Sequence, residues 1–318
     1  MKNVIVIVGP TAVGKTKLSI ELAHCFHAEI ISGDSMQVYK GLDIGTGKVT
    51  KQEKNGIPHF MLDIKRPDES FSAAEYQTLV QKYIEEINDR EKVPILVGGS
   101  GLYIQSVLYD YNFSNRKRDI QITKKLEKRL EEEGNQALYE ELKQLDQEQA
   151  EKIHPNNYRR VIRALEVYET TGLTMTEIHK KQKNSPRYNH IIIGLEMDRK
   201  TLYNQINKRV DQMVAEGLIE EVAYLYEEGY ENCQSMNAIG YKEIIPYVKG
   251  EVDLDTAVET LKRNSRRYAK RQYTWFKNQM DVEWFDITPS NNYPFPSIVY
   301  AIENVITTKY SIPCYKRS

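Results

Sequence analysis

The stretch "GPTAVGKT" at residues 9–16 fits G-x-x-x-x-G-K-[ST] and directly follows the apolar run Val4–Val8. Gly9, Pro10, Thr11, Ala12, Val13 and Gly14 would form a loop whose backbone N–H groups converge on phosphate oxygens. The helix after it adds the positive end of its dipole. In such a loop Lys15 meets the terminal phosphate and the Thr16 hydroxyl meets magnesium. The motif specifies a polyphosphate with Mg2+ and says nothing of what the phosphates are attached to. ATP and GTP are its ordinary occupants.

Two further glycine-rich segments carry polar side chains. In "ISGDSMQVYKGLDIGTGK", Asp34 and Ser35 follow an apolar run, where open α/β sheets place ligands. The competing reading is a plain turn with Asp34 as its cap. In "PILVGGSGLY", a nucleotide hydrolase would often end the run with an acid for magnesium. Here glycines and Ser100 stand instead, which weakens the hydrolase reading. Near the C-terminus, "LKRNSRRYAKRQYTWFKN" holds seven cations within sixteen acid-free residues, Arg267 and Arg271 among them, interleaved with Tyr268, Tyr273, Trp275 and Phe276. Charge runs are usually solvated faces. This one, on a predicted helix in a chain of net charge −1, points to nucleic acid. "HPNNYRRVIRAL" adds Arg159, Arg160 and Arg163, whose i, i+3 and i+4 spacing gives them one helical side. Metal ligation finds little support, because His24 and His27 have no second ligand pair after them.

Elements must hold these groups. Val4–Val8, Glu29–Ile31, Pro94–Val97 and Ile191–Leu195 read as buried parallel strands. Lys15–Phe26 and Ala73–Asp89 read as the helices between them. Strand–helix–strand order predicts a parallel sheet flanked by helices, an α/β fold of the phosphate-loop type. Over residues 116–190 strand signals vanish and charged helical patterns take over, so an all-helical insertion interrupts a core made of 1–115 and 191–318. Helices are predicted over Lys200–Ala215, Leu218–Glu228, Tyr241–Val248 and Leu254–Asn278.

The 318 residues are 40% hydrophobic and 28% charged, as in soluble globular proteins. Three scattered cysteines argue against a disulfide framework and for a reducing cytoplasm. The N-terminal apolar run is too short for a signal peptide, and no stretch is long enough to span a bilayer. Tyrosines number 22 against 7 phenylalanines, which reads as half-wet aromatic surfaces or, alternatively, as stacking platforms for bases.

Taken in order, "GPTAVGKT", "ISGDSMQVYKGLDIGTGK", "PHFMLDI", "FSAAEYQ", "VGGSGLYIQSVL", "IHPNNYRRVIRALEVYETTG", "MNAIGYKEI" and "RRYAKRQYTWF" resemble the tRNA dimethylallyltransferases, or tRNA isopentenyltransferases, over nearly the whole chain. The resemblance implies transfer of a dimethylallyl group from its diphosphate to N6 of adenosine 37, beside the anticodon of tRNAs that read codons beginning with U. It implies that the loop holds this diphosphate with Mg2+, that Asp34 acts as the base, and that Lys15, Thr16, Ser100 and Arg209 face the leaving group. Asp34, Ser35, Met36 and Gln37 would read the flipped adenine, with Ser100 nearby. Arg159, Arg160, Val161, Ile162, Arg163, Arg267 and Arg271 would grip the anticodon stem-loop, and the protein is expected to be a monomer. Ser100 stands where the family more often has Thr. Thr123, followed by Lys124, stands where many relatives carry an arginine thought to touch tRNA. A small-molecule kinase and a non-catalytic RNA-binding protein are the rival readings. The first leaves the basic helix unexplained and the second leaves Lys15 and Thr16 idle.

Overall fold

The computed structural model describes residues 1–109, 111, 113, 119–181, 185–289, 294–312, 314 and 315. Contacts divide the chain into two units, residues 1–108 with 186–318 and residues 109–185. The division falls earlier on both sides than 116–190. Arg116, the expected start of the insertion, and residues 182–184 near its expected end lie outside the described residues.

The first unit is built on a six-stranded parallel sheet. In chain order it runs β1 (Asn3–Val8), α1 (Lys15–Cys25), β2 (Ala28–Ser32), β3 (His59–Phe60), α2 (Ala73–Asp89), β4 (Val93–Gly98) and α3 (Gly101–Leu108). The strand order across the sheet is completed by β5 (Asn189–Glu196) and β6 (Glu283–Asp286), giving β3-β2-β4-β1-β5-β6. β1 lies centrally, with Ile5 in register with Ile95 on one side and Ile191 on the other. Residues Val4 to Val8 are fully buried, as expected of a strand covered on both faces, which reads as an unbroken β-branched run rather than an alternation. Ser72 starts α2 by accepting the Glu75 N–H at 3.1 Å, a cap worth about 1 kcal/mol.

Two strands escaped the sequence reading. β3 has only two residues, and β6 is the edge sequence Glu-Trp-Phe-Asp, half polar because one side of it lacks a neighbouring strand. The remaining helices of this unit are α8 (Arg199–Ala215), α9 (Leu218–Glu227), α10 (Tyr241–Val248), α11 (Leu254–Gln279) and α12 (Phe295–Tyr310), the four numbers between belonging to the second unit. α12 was not anticipated; its Ile298, Val299, Ile302 and Ile306 pack into the core around α1. The C-terminal segment then returns to α1, where Cys25 and Cys314 form a disulfide across 289 residues of sequence. The scattered cysteines argued against a disulfide framework, and this single link was not anticipated. Spacing alone carries no information on a contact made by chain ends so far apart.

The second unit is helical: α4 (Ile120–Leu145), α5 (Gln147–Ala150), α6 (Tyr158–Thr171) and α7 (Met175–Lys181). α4 breaks at Gly134, whose φ of 82° lies in the left-handed region that a glycine enters without strain. Leu126, Leu138, Leu142, Val161, Ile162 and Leu165 form its core. Asp146 ties α5 to α7, accepting from Gln149 N, Thr176 N and Thr176 Oγ1 at 3.1, 2.9 and 2.6 Å. Among the described residues no helix is long and apolar enough to cross a membrane.

Candidate active site

The carboxyl ends of β1, β2 and β4 deliver three loops to one place. Gly33, after β2, donates its N–H to Val97 O at 2.6 Å, and Ser100 N–H reaches Gly33 O at 3.2 Å. A side chain on Gly98 would meet Gly33 O at 2.2 Å. The glycines after β4 therefore admit another backbone segment, and with it the indole of Trp275, which a side chain on Gly101 would strike at 2.1 Å. This crossing sets Asp34 beside the phosphate loop.

Within that loop Gly14 is the N-cap of α1 at φ 97°, and no side chain caps the helix. The first turn contains no acid, so its N–H groups and dipole face the cavity unopposed by local charge. The Lys15 ammonium donates to Gly9 O at 2.9 Å and Pro10 O at 2.7 Å. Its pKa is pushed down to about 7, first by burial and then by the Arg209 charge, with Asp34 partly opposing. Arg209, on α8, is lowered from its usual value by burial, against the pull of Asp34. Its Nη2 lies 3.5 Å from Gly47 O. Asp34 Oδ1 accepts the Met36 N–H at 2.8 Å. The turn reading of this residue thus holds, and the turn aims the carboxylate into the site.

Lys15, Thr16, Asp34, Gln37 and Arg209 line one cavity of about 1070 Å³. A second, of about 260 Å³, is walled by Ile206, Val210, Met213 and Leu261 and bordered by Lys242 and Arg271. Thr11, Ala12, Asp34, Thr46, Arg209, Met213 and Tyr268 line both, so the cavities adjoin with Asp34 among the shared residues. Lys15 and Arg209, beside an acid that lines both cavities, suit the departure of an anion from a group whose acceptor enters by the second cavity.

A model of the IPP transferase family matches residues 37–279. A tRNA dimethylallyltransferase of Oceanobacillus iheyensis is 60% identical over 91% of this chain and 92% of its own length. The chain belongs to the IPP transferase family. Another member, the tRNA dimethylallyltransferase of Bacillus pumilus, is 57% identical over 90% of each chain. The crystal structure of the full-length tRNA isopentenylpyrophosphate transferase of Bacillus halodurans superposes with a TM-score of 0.75 at 49% identity, covering 98% of this chain and 97% of that one. A eukaryotic dimethylallyltransferase, solved acting on tRNA, gives 0.83 at 32% identity over 100% of this chain and 82% of that one. The α/β fold and the family expected from the motifs both hold.

In this IPP transferase, not every residue expected at a site lies in a cavity. The Ser100 hydroxyl accepts the Ser35 N–H at 3.1 Å and donates to Ser35 Oγ at 3.3 Å, so its visible task is to join two loops. Val161 and Ile162, expected among RNA contacts, are 1% and 3% exposed in the core of the helical unit, which withdraws their side chains from any RNA. The Arg159 and Arg160 side chains are exposed on α6, and Arg163 pairs with buried Glu166 at 3.1 Å. Thr123 is buried and Lys124 exposed, so the arginine's place is taken by an inward residue. On α11 the acid-free run finds acids elsewhere: Lys262 pairs with Asp211 at 2.8 Å and Lys277 with Glu196 at 3.3 Å. Arg263, Arg267, Lys270 and Arg271 are exposed. Phe276 is fully buried and Tyr273 bonds Glu196, so these two aromatics are structural rather than base-stacking.

Gln272 escaped the sequence reading. Buried in the basic helix, it accepts the Thr11 N–H at 2.9 Å and donates to Gly99 O at 3.2 Å, bracing the phosphate loop. The signal was present in the inward spacing of Leu261, Ser265, Ala269, Gln272 and Phe276.

Proposed function

We propose that this protein transfers the dimethylallyl group of dimethylallyl diphosphate to N6 of adenosine 37 in the anticodon stem-loop of tRNA. The observation that carries the reading is that Asp34 and Arg209 line both cavities, with Lys15 beside them in the larger. The diphosphate lies along the phosphate loop, held by the first-turn N–H groups of α1, Lys15 and Arg209. An anion there opposes both causes that lower the Lys15 pKa, so binding favours the charged lysine. The adenine, flipped out of its stack, enters by the smaller cavity. Asp34 accepts the N6 proton as the new C–N bond forms and the C1–O bond of the diphosphate breaks. The bond electrons leave on the diphosphate, toward the cations.

Thr16 follows Lys15 at the start of α1 and lines the same cavity, a hard oxygen donor that fits Mg2+. Bound there, the ion would neutralise charge on the leaving diphosphate. The exposed arginines of α11 and α6 supply phosphate contacts that position the stem-loop. The reading places a monomer in the cytoplasm with its tRNA.

The test is direct. Purified protein, unmodified tRNA, dimethylallyl diphosphate and Mg2+ are incubated, the tRNA is digested, and the nucleosides are weighed. N6-dimethylallyladenosine is expected. Its absence, or acceptor-dependent ADP release from ATP in a parallel reaction, refutes the proposal and favours a kinase.

A further inference from the structure

One carboxylate outside both cavities makes several bonds to backbone. Glu221, on α9, accepts the N–H groups of Asp43 and Ile44 at 3.0 and 2.9 Å on Oε2. Its Oε1 accepts the Gly45 N–H at 3.0 Å and the Tyr241 O–H at 2.6 Å. Three successive N–H groups directed at one anion form a nest. Tyr241 is fully buried, and burial together with this carboxylate raises its pKa, so the phenol stays a donor. Its ring lies so close to Gly45 that a side chain there would meet it at 2.5 Å. Neither Glu221 nor Tyr241 lines either of these two cavities.

The loop so gripped turns its carbonyls into the site. Gln37 Nε2 donates to Thr46 O at 3.3 Å and Gly47 O at 3.4 Å, and Gln37 Oε1 accepts the Ser32 hydroxyl at 2.9 Å. Gly47 O also accepts from Arg209 Nη2, at 3.5 Å. A chain of direct contacts thus runs from Glu221 through the loop to Gln37, which lines the larger cavity, and Arg209, which lines both.

We propose that Glu221, backed by Tyr241, is a positioning residue for the transfer reaction. It fixes the 43–47 loop so that the carbonyls of Thr46 and Gly47 hold the Gln37 amide and the Arg209 guanidinium in working geometry. This rests on the proposed prenyl transfer. The carboxylate is specifically required, because a glutamine of the same size offers one acceptor oxygen and turns an NH2 toward N–H donors.

The experiment uses the full chain with tRNA and dimethylallyl diphosphate, each varied, product being measured by mass spectrometry. Glu221→Gln and Glu221→Ala should lower kcat/KM for dimethylallyl diphosphate by about 10- to 100-fold, the cost of misplaced reacting groups. Tyr241→Phe, which keeps the ring, should lose about 3- to 10-fold. The tRNA dissociation constant should stay within about threefold, since phosphate contacts dominate it. A double Glu221→Ala/Gln37→Ala variant should lose no more than about threefold beyond the worse single variant, because both act through one chain. Thermal melting establishes that each variant is folded; should Glu221→Ala unfold, Glu221→Gln and Tyr241→Phe decide. A folded Glu221 variant within about twofold of the parent, or fully multiplicative losses in the double variant, overturns the inference. A parent protein that makes no prenylated adenosine instead refutes the reaction itself, so the two failures are distinct.

Discussion

Replacing Asp34 by asparagine separates its two tasks. Its Oδ1 accepts the Met36 N–H at 2.8 Å and shapes the turn that aims the side chain. Asparagine has a carbonyl oxygen of the same reach, so the turn survives, while the capacity to take a proton is lost. General-base catalysis contributes about 10²- to 10⁴-fold, which corresponds to about 2.7–5.5 kcal/mol of barrier. Asp34→Ala also deletes the turn bond, at an additional cost in stability of about 1 kcal/mol. The expected pattern is therefore a similar chemical defect in both variants with lowered melting only in the alanine one. Single-turnover reactions with excess enzyme over a labelled anticodon stem-loop read the chemical step. Anisotropy of the same RNA reads binding, which should change by less than about threefold because phosphates supply most of the affinity. If Asp34→Asn retains the single-turnover rate within about threefold, proton acceptance by this carboxylate is wrong.

Other consequences can be measured on the same protein. Arg267→Glu with Arg271→Glu should weaken tRNA binding and flatten the slope of log affinity against log salt by about 1.5, leaving affinity for dimethylallyl diphosphate within about twofold; equal loss of both ligands contradicts this. Lys15 has a pKa near 7 without ligand, and a bound diphosphate raises it, so binding takes up a proton above that pH and not below it. Calorimetry in two buffers of different ionisation heat should show uptake approaching one proton near pH 8.5 and fading by about pH 6, beyond what a Lys15→Arg variant shows. Thr123 Oγ1 is buried with no hydrogen-bond partner, so Thr123→Val should stabilise the helical unit by about 1 kcal/mol and leave tRNA affinity unaltered; weakened tRNA binding would restore this residue to the interface.

The strands that could be read in the sequence were those buried on both faces, where unbroken apolar runs leave little ambiguity. β6 could not be read, because four residues with only two apolar ones between acids resemble a loop. The phosphate loop and Asp34 were legible because their chemistry is local: a spacing of glycines before Lys15, and an acid at a strand end. Glu221 and Gln272 were not, because a polar residue on a charged helix looks solvated until the fold brings a loop against it. Val161 and Ile162 show the converse error. Being neighbours of useful arginines along the chain put them in the interface, while helical periodicity turned them inward.

The central position of β1 has a consequence for biosynthesis. One of its flanks is completed by β4 and the other by β5, whose Asn189 pairs with Asn3 only after residues 109–185 have been made. As the nascent polypeptide emerges, the helical unit has all its local contacts available before the main domain can finish assembling. The half-built sheet therefore waits with an unpaired inner strand, a window in which a chaperone or a slow stretch of translation has the most to protect.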